Sequence, residues 1–277
     1  MKRFLGLAAA LLLPLAASAQ GLTVKGSDTM VILAQRWAEA YMKAKPGARV
    51  QVTGGGSGVG IAALVNGTTD VANASRPLKD AEKKQVQGKY GVPAVETPVA
   101  KDGVAFYIHE SNPVQQLTIA QLKAIYAGDV KNWKELGGKD APIALYSREN
   151  SSGTYAYVKD EVLGKGVDFA ANAQTLPGTA AVVNAVAKAP NGIGYGGAAY
   201  AKGVKELKVA EKDGAPGELP TKANVLSGKY PLSRDLLMVT RGAPAGAAKA
   251  FMDWALTKDG QAIVETVGYY PVLHGGP

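Results

Sequence analysis

Short apolar segments alternate with amphipathic stretches along most of this chain. Short apolar runs bounded by turn residues indicate strands, and apolar residues spaced three or four positions apart indicate helices. The first predicted helix shows that spacing, with Met30, Leu33, Trp37 and Tyr41 on one face before Pro46. Beyond residue 22 strand and helix patterns follow one another, which predicts an α/β fold.

The predicted elements extend from residue 22 to residue 267. The strands are predicted at 22–24, 49–53, 70–74, 104–108, 142–146, 191–196 and 236–239. A short second helix is predicted after Gly58 and ends at Asn66. Further helices are predicted at 78–87, 118–126, 155–163, 180–188, 245–256 and 259–267. Thr118 and Gln121 have the spacing of a capping box, and Lys101-Asp102-Gly103 predicts a turn.

The first twenty residues have the pattern of a signal peptide. Lys2 and Arg3 precede an apolar run at 4–15, and Ala17-Ser18-Ala19 forms a small-residue cleavage site. The run is too short to span a membrane. The chain has no Cys, so we expect neither a lipid anchor nor a disulfide. The sequence therefore predicts a signal peptide at 1–20 and an exported, soluble, periplasmic protein.

The charge of the chain favours small anions over nucleic acid. Lys and Arg total 31 against 23 Asp and Glu, but the basic residues are scattered and do not alternate with aromatic ones. No nucleotide-binding glycine motif is present, and Ser57 lacks the second glycine of a hydrolase elbow. His109 and His274 have no metal-ligand spacing. We therefore expect no catalytic residue, no metal, no cofactor and no nucleic-acid partner.

Hydroxyl side chains mark four of the predicted helix starts. These are Ser27 and Thr29 at the first, Ser57 after Gly56 at the second, Ser75 beside Arg76 at the third, and Ser151, Ser152 and Thr154 with Gly153 at the fourth, which follows Arg148. Helix starts expose unpaired N–H groups and favour anions. Each hydroxyl could instead only cap its own helix. In an open α/β sheet such starts lie at the carboxyl ends of strands, so all four could surround one small polyanion.

Four motifs in this order resemble the phosphate-binding proteins of high-affinity phosphate ABC importers. They are Gly26-Ser27-Asp28-Thr29, Gly55-Gly56-Ser57-Gly58, Ala74-Ser75-Arg76-Pro77-Leu78 and Arg148-x-x-Ser151-Ser152-Gly153-Thr154. The resemblance covers residues 22 to about 272. The last motif is the most specific, since it fixes an arginine and a group of hydroxyls at a set spacing.

The resemblance implies a two-lobed, type II-like periplasmic-binding-protein fold with the ligand in the cleft between the lobes. Two crossovers, near 100–101 and 233–234, would join lobe I, residues 22–100 plus 235–277, to lobe II, residues 101–234. The implied ligand is inorganic phosphate, the implied partner is the permease of an ABC importer, and we expect a monomer.

The resemblance also assigns residues to the ligand. They are Thr29, the backbone of Met30, the region of Ser57, Ser75, Arg148, Ser152, Gly153 and Thr154. The helix-start pattern adds Ser27, Gly56, Arg76 and Ser151. Some family members carry an Asp after the third-loop Ser, to accept the proton of hydrogen phosphate, where this chain has Arg76. Asp28 is the available substitute, and it either faces the ligand or only caps its helix.

Three other functions remain open at the level of the sequence. A related receptor could bind another tetrahedral oxyanion, such as sulfate or molybdate. An exported hydrolase of phosphate esters would need an activated nucleophile or a metal, and the sequence shows neither. An adhesin or regulatory protein could use the same fold.

Overall fold

Strands and helices alternate along the described part of the chain. The structure is a computed structural model that describes residues 21–272. The predicted signal peptide, residues 1–20, lies outside the described residues. The strands are β1 (Leu22–Gly26), β2 (Val50–Thr53), β3 (Val71–Ala74), β4 (Ala94–Ile108), β5 (Gln116–Thr118), β6 (Ala144–Arg148), β7 (Gln174–Leu176), β8 (Gly192–Gly197), β9 (Lys205–Glu206), β10 (Lys208–Ala210) and β11 (Ser233–Arg241). The α-helices are α1 (Val31–Ala44), α2 (Ser57–Asn66), α3 (Asp80–Tyr90), α4 (Ile119–Ala127), α5 (Gly153–Val158), α6 (Thr179–Lys188), α7 (Lys222–Leu226), α8 (Gly246–Ala255) and α9 (Lys258–Val267).

One mixed sheet runs through the molecule in the order β2-β1-β3-β11-β4-β8-β6-β7. β1 is parallel to β2 and β3, and β6 is parallel to β7 and β8. Between these parallel groups, β11 is antiparallel to β3 and β4, and β4 is antiparallel to β8. The predicted α/β class is confirmed.

β4 and β11 connect two lobes. Residues of β4 up to Gly103 pair with β11, whereas those from Val104 onward pair with β8. The two largest buried clusters divide at the same place. One takes its buried members from 22–100 and 236–269, and the other takes them from 104–232. We call the parts around these cores lobe I and lobe II. The predicted two-lobed architecture is confirmed.

Local sequence signals explain several helices. The four apolar residues predicted on one face of the first helix, Met30, Leu33, Trp37 and Tyr41, are all buried in lobe I. The capping box is confirmed, because Thr118 Oγ1 accepts the Gln121 N–H at 3.2 Å while Gln121 Oε1 accepts the Thr118 N–H at 2.9 Å. Within residues 21–272, no helix is both long and apolar enough to cross a membrane.

The turn predicted at Lys101-Asp102-Gly103 is wrong, because these residues continue β4 without a break. Asp102 faces Arg234 of β11 in the antiparallel register, and Arg234 Nη2 donates to Asp102 Oδ2 at 2.8 Å. A carboxylate buried within a strand needs such a partner. The partner lies 132 residues away in the sequence, so no local pattern reveals it.

Candidate ligand-binding site

Hydroxyl groups from the four predicted helix starts lie at the boundary between the lobes. In lobe I, Ser27 Oγ donates to Ser75 Oγ at 3.0 Å, and Ser57 Oγ lies 3.3 Å from Ser75 Oγ. Thr29 of lobe I and Thr154 of lobe II have their Oγ1 atoms 3.0 Å apart. All five side chains are buried. We call Ser27, Thr29, Ser57, Ser75 and Thr154 the hydroxyl cluster.

The start of α5 packs directly against the lobe I hydroxyls. A β-carbon on Gly153 would lie 2.2 Å from Ser57 Oγ and 2.6 Å from Ser75 Oγ. Neither distance leaves room for a methyl group. Glycine at 153 therefore allows the two lobes to approach at the cluster.

A second glycine contact joins the lobes beside the first. Gly58 N–H donates to the Ser151 carbonyl oxygen at 2.8 Å. Gly56 has φ 93°, and a β-carbon there would lie 2.5 Å from the same oxygen. Any larger residue at 56 would be strained in its backbone and would also collide with lobe II. The glycine-rich loop before α2 is thus shaped to fit Ser151.

Arg148 ends β6, and its guanidinium is buried. Nη2 donates to Asp28 Oδ2 of lobe I at 2.9 Å and to Glu149 Oε1 at 3.0 Å, while Nη1 donates to Thr179 Oγ1 at 2.9 Å. Burial alone would raise the pKa of Glu149, but its hydrogen bond and ion pair with Arg148 outweigh burial and hold that pKa below its ordinary value. Two carboxylates therefore balance the positive charge of Arg148 at this site.

Asp28 connects three segments. Its Oδ1 accepts the Gly55 N–H at 2.7 Å, and its Oδ2 accepts from Arg148 of lobe II. Ser27, not Asp28, occupies the N-cap position of the short 3₁₀ helix Asp28–Met30, and no side chain caps that helix. Asp28 is thus turned towards the lobe boundary and bound to the predicted site arginine.

Two further predicted residues have roles in the local structure. Ser152 Oγ accepts the Tyr155 N–H at 3.2 Å and so caps α5. The Met30 side chain is buried in the core of lobe I, and its N–H donates to the Ser27 carbonyl at 3.0 Å. Both residues shape loops that carry hydroxyls of the cluster.

Arg76 lies outside the hydroxyl cluster, contrary to its place in the predicted site. Its guanidinium binds both carboxylate oxygens of Glu82, at 2.7 and 2.8 Å, and the Pro77 carbonyl at 2.8 Å. Arg76 follows the end of β3, where the backbone bends, and Glu82 of α3 holds its guanidinium outside the cluster.

A second guanidinium, which sequence reasoning missed, contacts the cluster. Arg234 of β11 donates to Thr154 Oγ1 at 3.0 Å, to the Ser75 carbonyl at 3.0 Å and to Asp102 Oδ2. The hydroxyl pattern marks helix starts, whereas Arg234 sits within the strand β11 at a crossover. The charged residues placed at both crossovers, Asp102 and Arg234, were the available signal.

The chemistry of this arrangement is that of an oxyanion receptor. Buried hydroxyls and Arg234 converge here, Arg148 lies beside them on Asp28, and α2 and α5 begin at the cluster. Such groups can surround a small anion with hydrogen-bond donors. The described residues hold no group of three or more His, Asp or Glu side chains able to bind a metal ion.

Comparison with known proteins agrees with this geometry. The model of the PBP superfamily domain matches residues 14–259. The phosphate-binding protein PstS of Pseudomonas aeruginosa PAO1 is 38% identical over 264 residues, which cover 89% of this chain and 81% of that protein. The chain belongs to the PstS family of phosphate-binding proteins.

Other members of the family extend the similarity. PstS of Bacillus subtilis strain 168 is 34% identical over 253 residues, with 91% of this chain and 80% of that protein covered. A crystal structure from Clostridium perfringens, described as a phosphate ABC transporter substrate-binding protein with bound phosphate, superposes with a TM-score of 0.82 at 34% identity. That match covers 92% of this chain and all of the other. An ABC-type phosphate transport receptor from Vibrio cholerae gives a TM-score of 0.73 at 28% identity, over 91% of this chain and all of the other.

Proposed function

We propose that this protein captures inorganic phosphate between its two lobes and delivers it to the permease of an ABC importer. The observation that carries the proposal is the hydroxyl cluster at the lobe boundary, which the buried Arg234 contacts directly and which the buried Arg148 adjoins through Asp28. The family relation supports the same ligand, since its members are named for phosphate binding.

The donor set fits a small tetrahedral anion. Thr29, Ser57 and Ser75 from lobe I face Thr154 from lobe II, so a ligand among them would be gripped from both sides. Ser57 begins the ten-residue helix α2, whose first N–H groups add further donors. We assign phosphate binding to these four residues and to Ser27, Arg148 and the backbones of Gly56, Ser151 and Gly153, with Met30 and Ser152 supporting the loops.

The lobes would close over the ligand by a hinge at the two crossover strands. We place lobe I at residues 22–100 plus 235–277 and lobe II at 101–234, because the two buried cores separate there. A motion at β4 and β11 would open the Thr29 to Thr154 and Asp28 to Arg148 contacts while leaving both cores intact.

Asp28 would make the site selective for a protonated anion. Hydrogen phosphate can donate its proton to a carboxylate, whereas sulfate has no proton to donate at neutral pH and would face that carboxylate unpaired. Asp28 is the carboxylate of lobe I bound to Arg148 beside the cluster. We therefore assign the acceptor role to Asp28.

The remaining properties follow from a receptor of this kind. We propose an exported, periplasmic, monomeric protein without a lipid anchor, which binds no nucleic acid and catalyses no reaction. The supporting observations are the pattern at residues 1–20, the absence of Cys and the scattered basic charge.

Isothermal titration calorimetry on the purified protein tests the proposal. Phosphate should bind one to one, and a tenfold excess of sulfate or molybdate should leave its apparent affinity nearly unchanged. Tight binding of sulfate would refute phosphate as the ligand and identify sulfate in its place. Retention of a protein partner without any oxyanion binding would favour an adhesin or regulatory protein.

A further inference from the structure

Arg234 contacts both lobes and both crossover strands. Its Nη1 donates to the Ser75 carbonyl of lobe I at 3.0 Å, and its Nη2 donates to Thr154 Oγ1 of lobe II at 3.0 Å. Thr29 Oγ1 lies 3.5 Å from the same Nη2. All three partners belong to the hydroxyl cluster. By contrast, Arg148 donates to Asp28, Glu149 and Thr179.

Asp102 and Tyr157 hold the guanidinium of Arg234 in one orientation. Nε and Nη2 both donate to Asp102 Oδ2, at 3.0 and 2.8 Å, and the Asp102 side chain is fully buried. The guanidinium carbon lies 5.3 Å from the centre of the Tyr157 ring. Asp102 and Arg234 are opposite each other in the β4 and β11 register, at the place where both strands pass between the lobes. The guanidinium is therefore fixed to the crossover itself.

This fixed donor determines which way the hydroxyl of Thr154 points. A guanidinium can only donate hydrogen bonds, so Thr154 Oγ1 must accept from Arg234. A hydroxyl has one hydrogen, and that of Thr154 is then available to donate to Thr29 or to an oxyanion. The Ser75 N–H acts in the same way on Ser57 Oγ, to which it donates at 3.0 Å. Without such a donor, either hydroxyl could rotate and present its lone pairs to the anion.

We propose that Arg234 is a positioning residue of the phosphate site, which orients the Thr154 and Thr29 hydroxyls as donors and links that orientation to the crossover strands. This inference rests on the proposed function. It assigns to the pair Asp102 and Arg234 a part in phosphate affinity that is exerted through Thr154.

The test compares phosphate affinity in Arg234→Lys, Thr154→Val and the double variant, measured by calorimetry on the full chain. Lysine keeps the charge but cannot hold Asp102, Ser75 and Thr154 together, since it lacks the planar fork. We expect Arg234→Lys to weaken phosphate binding by roughly ten- to a hundredfold. In the double variant we expect little loss beyond that of Thr154→Val alone, because both changes remove the same oriented hydroxyl.

Arg241→Lys is the matched control. Arg241 lies on the same strand, and its guanidinium lies 5.2 Å from the Tyr90 ring and donates to the Leu64 carbonyl, away from the cluster. We expect its phosphate affinity to stay within about twofold of the unmodified protein, in keeping with a site distant from the change.

The outcomes separate an error in the positioning role from an error in the proposed function. Phosphate affinity within threefold of the unmodified protein in Arg234→Lys, or losses that multiply in the double variant, would overturn the positioning role. Failure of the unmodified protein to bind phosphate would refute the proposed function instead.

If Arg234→Lys does not fold, the test uses Asp102→Asn in its place. That change keeps Arg234 but weakens the contact by which Asp102 fixes the orientation of its guanidinium. Unchanged phosphate affinity in Asp102→Asn, or a loss that multiplies with that of Thr154→Val, would then overturn the inference.

Discussion

Substitution of Gly153 by alanine should abolish tight ligand binding without harming the fold. The new β-carbon would lie 2.2 Å from Ser57 Oγ, so the lobes would have to stay about 1 Å further apart at this point. Hydrogen bonds to a charged ligand contribute ~1.5–3 kcal/mol each and weaken steeply with distance. Loss of two such bonds would cost ~3–6 kcal/mol, which corresponds to a fall in phosphate affinity of roughly 10²- to 10⁴-fold.

The fold itself should tolerate the Gly153→Ala change. Gly153 is the first residue of α5, alanine is the better helix former, and the collision arises only when the lobes meet. Calorimetry would measure the phosphate affinity, and urea unfolding in the absence of phosphate would measure the stability.

Gly88→Ala provides a matched control for this experiment. Gly88 lies in α3 with no atom within 4 Å of its added β-carbon, so phosphate affinity should not change and stability should rise by up to ~1 kcal/mol. If Gly153→Ala bound phosphate within threefold of the unmodified protein, the closed contact between α5 and the lobe I hydroxyls could not be the ligand-bound arrangement.

Three further predictions concern charged residues. Arg148→Ala should weaken phosphate binding by ~3–5 kcal/mol in calorimetry, because it leaves the carboxylates of Asp28 and Glu149 uncompensated beside the anion; a loss below 1 kcal/mol would remove Arg148 from the site. Asp28→Asn should chiefly reduce discrimination of phosphate against sulfate, and unchanged competition curves would exclude Asp28 as the proton acceptor. Burial and the charge of Asp102 raise the pKa of Glu206 to about 7 from 4.5, so the folded protein binds a proton that the unfolded chain releases. Stability should therefore fall by ~1–3 kcal/mol as pH rises from about 4.5 to 7, as urea unfolding would show, and Glu206→Gln should remove most of that pH dependence.

Much of the fold could be predicted from the sequence, because local patterns determine it. The spacing of Met30, Leu33, Trp37 and Tyr41 identified a helix with one buried face, and the pair Thr118 and Gln121 identified a helix start. Both signals act between residues a few positions apart, so the sequence displays them directly.

The parts that could not be predicted depend on distant partners. The segment Lys101-Asp102-Gly103 has the composition of a turn. Only the contact of Asp102 with Arg234 on β11 explains why it is part of a strand. The positions of Arg76 and Arg234 likewise could not be read from local sequence patterns. A local motif placed Arg76 in the site, while its neighbour Pro77 and the carboxylate of Glu82 direct it elsewhere. Arg234 reaches the hydroxyl cluster only because β11 passes between the lobes.

The most direct test is a crystal structure of the full chain grown with arsenate, a tetrahedral analogue of phosphate whose arsenic atom is located by its anomalous scattering. The account predicts one strong anomalous peak between the lobes, with arsenate oxygens within hydrogen-bond distance of the Thr29, Ser57, Ser75 and Thr154 hydroxyls. A peak bound elsewhere on the protein, with these four hydroxyls free of the anion, would contradict it.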